Sequence, residues 1–145
     1  MRAVIQRVRY GSVTINGNII SEIQKGLVIL LGAGPEDSET TVQAMARKTA
    51  LLRIFEDDQE KMNLSILDVK GEAIVVSQFT LYGDTRKGNR PSFIGAAPPE
   101  IARPLVDRFA EVLREQGIPT QTGEFGANML VKIENDGPVT ILLEM

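Results

Sequence analysis

The segment VTINGNII, Val13–Ile20, decides how the first part of this chain folds. Its centre, Asn16-Gly17, is a strong signal for a type I′ hairpin turn, because both central residues of that turn need a positive φ. The flanking β-branched residues predict the two strands of the hairpin. Further on, the run LVILL, Leu27–Leu31, is continuously apolar. Such a short run predicts a strand that is buried on both faces.

The rest of the chain predicts two helices and further strands. Helices are predicted over 39–52 and, preceded by Pro98-Pro99, up to about Gln116, where Gly117 supplies a C-terminal stop. Pro104 is expected to kink the second helix near its start or to delay that start. Apolar residues at helical spacing place the inward face of this helix at Ile101, Leu105, Phe109, Val112 and Leu113. The further strands are predicted over 72–82, 120–122, 128–134 and 139–143.

The length and composition fit one globular domain spanning residues 1–145. We therefore expect a strand-rich α+β domain with curved, mostly antiparallel sheets and two helices. No apolar run is long enough to cross a bilayer, and Met1-Arg2 is not followed by the apolar stretch of a signal peptide. These features predict a soluble, cytoplasmic protein without a membrane partner.

The chain lacks cysteine and histidine, which restricts its chemistry. Without these residues there can be no thiol nucleophile, no Ser-His-Asp relay and no thiolate or imidazole zinc site. We expect neither a metal nor a cofactor. Proton transfers in an enzyme of this composition must use carboxylates, Lys, Tyr, hydroxyls, the backbone or the substrate itself. The net charge of −3 does not indicate a nucleic-acid binder at the level of the whole protein.

A candidate site begins at Ser77-Gln78-Phe79-Thr80, where two hydroxyls and an amide interrupt an apolar strand. One interpretation is a strand end that becomes solvated, with Ser and Thr bonded to the backbone. The other is a site in which Thr80 or backbone N–H groups polarise a carbonyl.

Other segments also allow a structural and a functional interpretation. Gly137-Pro138 predicts a turn, or, if its peptide bond is cis, a rigid pair of carbonyl acceptors suited to an ammonium group. Arg7 would either pair within the sheet or support a site, and Met129 would fill a core or contact a ligand. A solvated loop or a phosphate-binding patch is predicted for the segment that carries Arg86, Lys87 and Arg90.

These motifs together resemble the bacterial D-aminoacyl-tRNA deacylase family. The resemblance extends over nearly the whole chain, and its two most specific stretches are SQFTL, Ser77–Leu81, and NDGPVT, Asn135–Thr140. Further similarity is found in MRAVIQRV (1–8), LRIFED (52–57), KMNLS (61–65), DTRKGNRPSF (84–93), AAPPE (96–100) and FGA (125–127). Asn128 and Gly83 are minor departures from the family pattern.

The resemblance implies an obligate homodimer that hydrolyses the ester joining a D-amino acid to the 3′-terminal adenosine of tRNA. It implies that Gly137-Pro138 is a cis element inserted into the active site of the other subunit, where its carbonyls hold the ammonium group and exclude L side chains. Arg7 and Met129 would help to hold those carbonyls. The pocket-lining residues would be Ser77, Gln78, Phe79 and Thr80.

Two catalytic mechanisms remain open at this point. In one, backbone N–H groups of Phe79 and Thr80 stabilise the oxyanion and the 2′-hydroxyl of the terminal ribose helps to activate water. In the other, Thr80 is the nucleophile. Because exclusion by steric clash cannot reject a substrate without a side chain, glycyl-tRNA should also be hydrolysed. Contacts to tRNA phosphates are expected from Arg86, Lys87 and Arg90.

Two alternative functions are also compatible with the sequence. The same fold could edit an L-aminoacyl-tRNA, such as the L-alanyl ester, through a trans Gly-Pro. A dimer that binds RNA without catalysis is the second alternative, and the acidic net charge argues against it.

Overall fold

The computed structural model describes all residues, 1–145, and it contains two helices and a curved sheet. The strands are β1 (Arg2–Ile15), β2 (Asn18–Ile23), β3 (Gly26–Gly32), β4 (Phe55–Glu56), β5 (Met62–Leu64), β6 (Glu72–Ser77), β7 (Thr120–Thr122) and β8 (Leu130–Glu144). The helices are α1 (Glu39–Ala50) and α2 (Pro99–Glu115). The strand-rich α+β class predicted from the sequence is confirmed. Neither helix is long and apolar enough to cross a membrane.

The main sheet has the order β2-β1-β3-β6-β7, and β8 pairs with the other side of β1. The hairpin predicted at Asn16-Gly17 joins β1 to β2, and both turn residues have positive φ. Pairing is antiparallel except between β3 and β6 and between β6 and β7. Because β1 pairs with β2, β3 and β8, this one long strand organises most of the sheet.

The sheet curls until β2 approaches β7 without joining its backbone ladder. A side chain closes the gap instead: the amide of Gln121 on β7 accepts a hydrogen bond from the N–H of Glu22 and donates one to the carbonyl of the same residue. The hydroxyl of Ser21 donates to the Thr122 carbonyl beside it. These bonds replace the missing ladder and protect both edges from pairing with other strands.

The core consists of two layers, one on each face of the curled sheet. The larger cluster lies between the sheet and the helices and includes Ile29, Val75 and Phe109. The smaller one fills the inside of the curl and includes Val28 and Ile74. Neighbouring residues of β3 therefore enter different layers, which confirms the prediction of a strand buried on both faces.

Three details of the predicted elements are wrong. The predicted strand 72–82 ends at Ser77, because Phe79–Tyr82 forms a short 3₁₀ turn. The two strands predicted at the C-terminus are one strand, β8, because β1 is long enough to pair with both halves. Of the two effects expected of Pro104, the delayed start is wrong, because α2 starts at Pro99 and contains the proline.

The predicted inward face of α2 is partly wrong as well. Phe109, Val112 and Leu113 are buried as predicted, whereas Ile101 is 40% exposed. Ala102 and Val106 occupy the buried positions in the first half of the helix. Ala102, Val106, Phe109 and Leu113 lie at i, i+4, i+7 and i+11, so the buried face follows helical spacing through the small Ala102 and not through the larger Ile101.

Candidate functional site

A cleft of about 610 Å³ opens where β3 and β6 end and α2 begins. It is lined by 20 residues, of which 13 are hydrophobic, and Ser77, Gln78, Phe79 and Met129 are among them. None of the lining residues is ionisable. The cleft can therefore bind and orient a ligand, but its own side chains supply neither a general base nor a general acid.

The 3₁₀ turn Phe79–Tyr82 presents two backbone donors at the edge of this cleft. The first hydrogen bond of the turn runs from Leu81 N–H to the Gln78 carbonyl. The N–H groups of Phe79 and Thr80 precede it, so they have no acceptor within the turn. Two adjacent free N–H groups are the arrangement that stabilises a developing oxyanion.

The Thr80 hydroxyl is poorly suited to act as a nucleophile. The Thr80 side chain is exposed and is not part of the cleft lining. Its oxygen accepts a hydrogen bond from the side-chain amide of Gln78, and an amide N–H cannot remove a proton. The structure thus brings Ser77, Gln78 and Phe79 together in the cleft and leaves the Thr80 side chain beside it.

Phe93 belongs to this site although the sequence did not single it out. Its ring packs edge-to-face against Phe79, with 5.1 Å between the ring centroids, and both residues line the cleft. Phe79 is 56% exposed and Phe93 37% exposed, so the two rings form an accessible apolar edge of the cleft. The available sequence signal was the position of Phe93 directly after the basic loop, but it does not reveal which residues the loop returns to.

Gly137-Pro138 lies in a bulge of β8 and not at a hairpin tip, so the predicted turn between two strands is wrong. Gln6 pairs with Thr140 and Val8 pairs with Asn135, which leaves Asp136–Val139 outside the regular ladder. The Gly137-Pro138 peptide bond is cis. Glycine is required here because φ is +130° and a Cβ would lie 2.7 Å from the Val139 side chain.

Arg7 anchors this bulge from the middle of the sheet. It is only 5% exposed, and its Nε donates to the Asp136 carbonyl at 3.0 Å. Its Nη1 donates to the Ile54 carbonyl at 2.7 Å, so two fixed acceptors hold the guanidinium. Arg7 therefore contacts the carbonyl that precedes Gly137.

Met129 and the Gly-Pro bulge lie far apart along β8 within one subunit. Met129 lines the cleft. Its Sδ lies close to Gly123, because a Cβ added at Gly123 would be only 2.6 Å from this sulfur atom. It precedes the end of β8 that pairs with Thr14, whereas the bulge lies next to Val8. Neither Gly137, Pro138 nor Arg7 lines the cleft. The predicted site residues thus form two separate groups in one chain.

The basic loop after the turn is less uniform than its sequence indicates. Arg86 makes a bidentate ion pair with Asp84, with hydrogen bonds of 2.9 and 2.7 Å. This contact lowers the pKa of Asp84 to about 2 and raises the pKa of Arg86. Lys87 and Arg90 are exposed and form no ion pair. Of the three predicted phosphate contacts, these two have free charges.

The fold and this cleft define a small α+β enzyme that belongs to the D-Tyr-tRNA(Tyr) deacylase family, whose model matches residues 4–144. This confirms the resemblance identified from the sequence, and with it the prediction of a hydrolase. No three His, Cys, Asp or Glu side chains gather closely enough to hold a metal ion.

Individual relatives extend over the full length of the chain. A protein named D-aminoacyl-tRNA deacylase from Fusobacterium nucleatum is 57% identical over 144 residues, which cover 99% of this chain and 95% of the relative. One of the same name from Roseiflexus sp. is 59% identical over 144 residues and covers 99% and 93%. A solved structure described as c-Myc DNA Unwinding Element Binding Protein matches with a TM-score of 0.95 at 45% identity and covers 100% and 99% of the two chains.

Proposed function

We propose that this protein hydrolyses the ester bond of D-aminoacyl-tRNA and releases the D-amino acid and free tRNA. The observation that carries the proposal is the family match over residues 4–144, together with full-length relatives that bear the deacylase name. The cleft supports it chemically, because free backbone donors stand beside an apolar lining without ionisable groups. Such a site suits ester hydrolysis in which the substrate supplies the acid–base groups.

In the proposed reaction, a water molecule attacks the ester carbonyl carbon and the carbonyl oxygen becomes an oxyanion. The N–H groups of Phe79 and Thr80 donate to this oxygen. The neighbouring 2′-hydroxyl of the terminal ribose relays the water proton to the departing 3′-oxygen, so the bond between that oxygen and the carbonyl carbon breaks without a protein base. This assignment is supported by the exposed position of the Thr80 hydroxyl and by its amide partner.

The active enzyme in this proposal is a homodimer, in which Gly137-Pro138 of one subunit enters the cleft of the other. Two features support it. The Gly-Pro bulge and the cleft do not meet within one chain, and β8, which carries the bulge, pairs only with β1. Leu130 (72% exposed) and Leu142 (63% exposed), near the two ends of β8, add apolar surface that a second copy covers in this proposal.

Chirality is selected in this dimer by main-chain carbonyls of Gly137 and Pro138. They accept hydrogen bonds from the substrate ammonium group and occupy the space into which an L side chain would point. Arg7 supports the selection indirectly, because it holds the adjacent Asp136 carbonyl. A substrate without a side chain escapes this exclusion, so glycyl-tRNA is hydrolysed as well.

Lys87 and Arg90 supply phosphate contacts to the tRNA, while Arg86 contributes less because Asp84 already neutralises it. Two contacts give modest, salt-sensitive binding, which suits an enzyme that must release its product quickly.

The direct test compares purified protein on D-tyrosyl-, L-tyrosyl-, L-alanyl- and glycyl-tRNA. We expect release of D-tyrosine and glycine, with L-tyrosine and L-alanine retained. Preferential release of L-alanine would support the alternative of L-aminoacyl editing. No release from any ester would overturn the proposed activity, and resistance of glycyl-tRNA alone would show that selection is not simply steric.

The shared site is tested by mixing two inactive variants. Gly137→Val should disable the inserted element, and Thr80→Pro should remove one oxyanion donor from the cleft. Random re-association makes half of the dimers mixed, each with one intact site, so the mixture should recover about one quarter of wild-type turnover. A mixture as inactive as its components would show that both elements act within one chain.

A further inference from the structure

The turn that carries the two free N–H groups is held from behind by a residue of the first strand. Arg2 Nη1 donates to the Leu81 carbonyl at 2.9 Å. The same guanidinium lies over the Tyr82 ring, with 4.6 Å from Cζ to the ring centroid. One side chain therefore grips two consecutive residues of the Phe79–Tyr82 turn, through a hydrogen bond and a cation–π contact.

Arg2 is itself fixed by its position in the sheet. Its backbone pairs with Gly32 of β3 on one side and with Glu144 of β8 on the other. The Glu144 carboxylate also forms an ion pair with Arg2, with 2.6 Å between Nε and Oε1. The guanidinium therefore extends from a rigid base, and its five donors in a planar fork can serve the turn and the carboxylate at once.

The Tyr82 ring also packs closely against the end of β3 and the residues that follow it. A Cβ on Gly32 would lie 3.3 Å from the ring and 2.9 Å from the Gln78 carbonyl, and a Cβ on Gly34 would lie 2.9 Å from the Tyr82 hydroxyl. These two glycines leave the space that the ring occupies. Tyr82 is thereby held by the end of β3 as well as by the Arg2 guanidinium.

We infer that Arg2 and Tyr82 are positioning residues for ester hydrolysis, because together they fix the turn whose Phe79 and Thr80 N–H groups meet the oxyanion. This inference rests on the proposed function. Neither side chain lines the cleft, so neither contacts the substrate there. We call the contacts of Arg2 with Leu81 and Tyr82 the clamp. Loss of the clamp should leave substrate binding intact. It should also make the orientation of the Phe79 and Thr80 N–H groups less well defined, and this orientation governs the chemical step.

The test measures kcat and KM for D-tyrosyl-tRNA with Arg2→Ala and Tyr82→Leu. Because the donors are displaced and not removed, each variant should lower kcat about tenfold and leave KM within about twofold. Arg2 and Tyr82 share the cation–π contact, so the two losses should not add in full: the double variant should lose less kcat than the product of the two single losses. Arg2→Lys should recover only part of kcat, because one ammonium cannot reproduce both contacts of the guanidinium.

Lys25→Ala is the matched control, since Lys25 also lies over an aromatic ring, that of Phe55 at 5.9 Å, but away from the cleft. Its kcat should equal that of the wild type. Amide hydrogen exchange over residues 78–83 gives a second readout that does not depend on turnover. Exchange should be faster in Arg2→Ala, or in Arg2→Lys if the alanine variant does not fold, and unchanged in Lys25→Ala.

Wild-type kcat together with unchanged exchange in the Arg2 variants would overturn the clamp and leave the proposed deacylase activity intact. A higher KM with an unchanged kcat would overturn the clamp too, because the residues would then affect binding and not the chemical step. If the wild type itself releases no amino acid, the proposed function fails, and the exchange comparison alone decides whether Arg2 orders the turn.

Discussion

Arg7 Nε donates to the Asp136 main-chain carbonyl at 3.0 Å, and Arg9, two residues further along β1, donates to the side-chain carboxylate of the same aspartate at 2.9 Å. The two arginines differ in burial. The Arg7 side chain is 6% exposed and that of Arg9 is 79% exposed. They therefore form a matched pair in which only the buried member, Arg7, bonds to the main chain of the Gly-Pro bulge.

Arg7→Ala should lower the free energy of unfolding by about 3 kcal/mol, because it leaves buried carbonyls without their donor. It should also abolish deacylation, since the bulge loses its anchor. Arg9→Ala should change the free energy of unfolding by less than about 0.5 kcal/mol, because solvent already screens its ion pair. Denaturant unfolding and turnover of D-tyrosyl-tRNA measure both effects, and equal losses in the two variants would contradict the anchoring role.

Thr80→Ala should retain most of the deacylase activity, within about threefold of wild type, because the substitution keeps the backbone N–H that we assign to the oxyanion. Steady-state turnover of D-tyrosyl-tRNA checks this. A loss of three orders of magnitude or more in a folded variant would instead identify the hydroxyl as the nucleophile.

Replacing the 2′-hydroxyl of the terminal adenosine with hydrogen should slow hydrolysis by at least about a hundredfold, because the cleft contains no ionisable side chain to take over proton transfer. Single-turnover rates at saturating enzyme isolate this step from binding. Undiminished hydrolysis of the deoxy substrate would exclude the RNA-assisted mechanism.

Lys87→Ala and Arg90→Ala should each weaken tRNA binding and reduce the slope of log Kd against log salt by about one. Arg86→Ala is the control from the same loop, and its slope should hardly change because Asp84 already pairs with it. Filter binding over a series of salt concentrations provides the slopes. If Arg86→Ala changed the slope more than Lys87→Ala or Arg90→Ala, the ion pair between Arg86 and Asp84 would have to open when tRNA binds.

Gly26→Ala should destabilise the fold by about 3 kcal/mol or more, because its Cβ would lie 1.8 Å from the Glu72 carbonyl on the neighbouring strand. Gly95→Ala is the control, since the nearest atom to its Cβ would be 3.8 Å away. Thermal unfolding should separate the two variants clearly. A stable Gly26→Ala protein would show that β3 and β6 can move apart at little cost.

The sequence predicted elements well where a local signal matched the final environment. Asn16-Gly17 specified its hairpin, and the uniform apolar character of Leu27–Leu31 specified a strand buried on both faces. It failed where a distant partner decided the outcome. The β-branched and aromatic residues up to Tyr82 suit a strand. Residues 79–82 nevertheless form a 3₁₀ turn, which packs against Gly32 and Gly34 and is bonded by Arg2.

The candidate site was predicted in the same uneven way. The motif Ser77–Leu81 pointed to the cleft, and Gly137-Pro138 was recognised as a special backbone element. Its position in a bulge could not be read from the sequence, because that depends on the length of the partner strand β1. The pairing of Arg86 with Asp84 and the contact of Phe93 with Phe79 depend on how the loop folds back, which composition does not encode.

The non-ionisable lining of the cleft also determines how the enzyme can be inhibited. Electrophilic warheads need an activated thiolate, amine or hydroxyl, and this cleft offers none of them. Inhibitors must instead compete reversibly through shape and through hydrogen bonds to the main chain, as a non-hydrolysable amide analogue of the ester would.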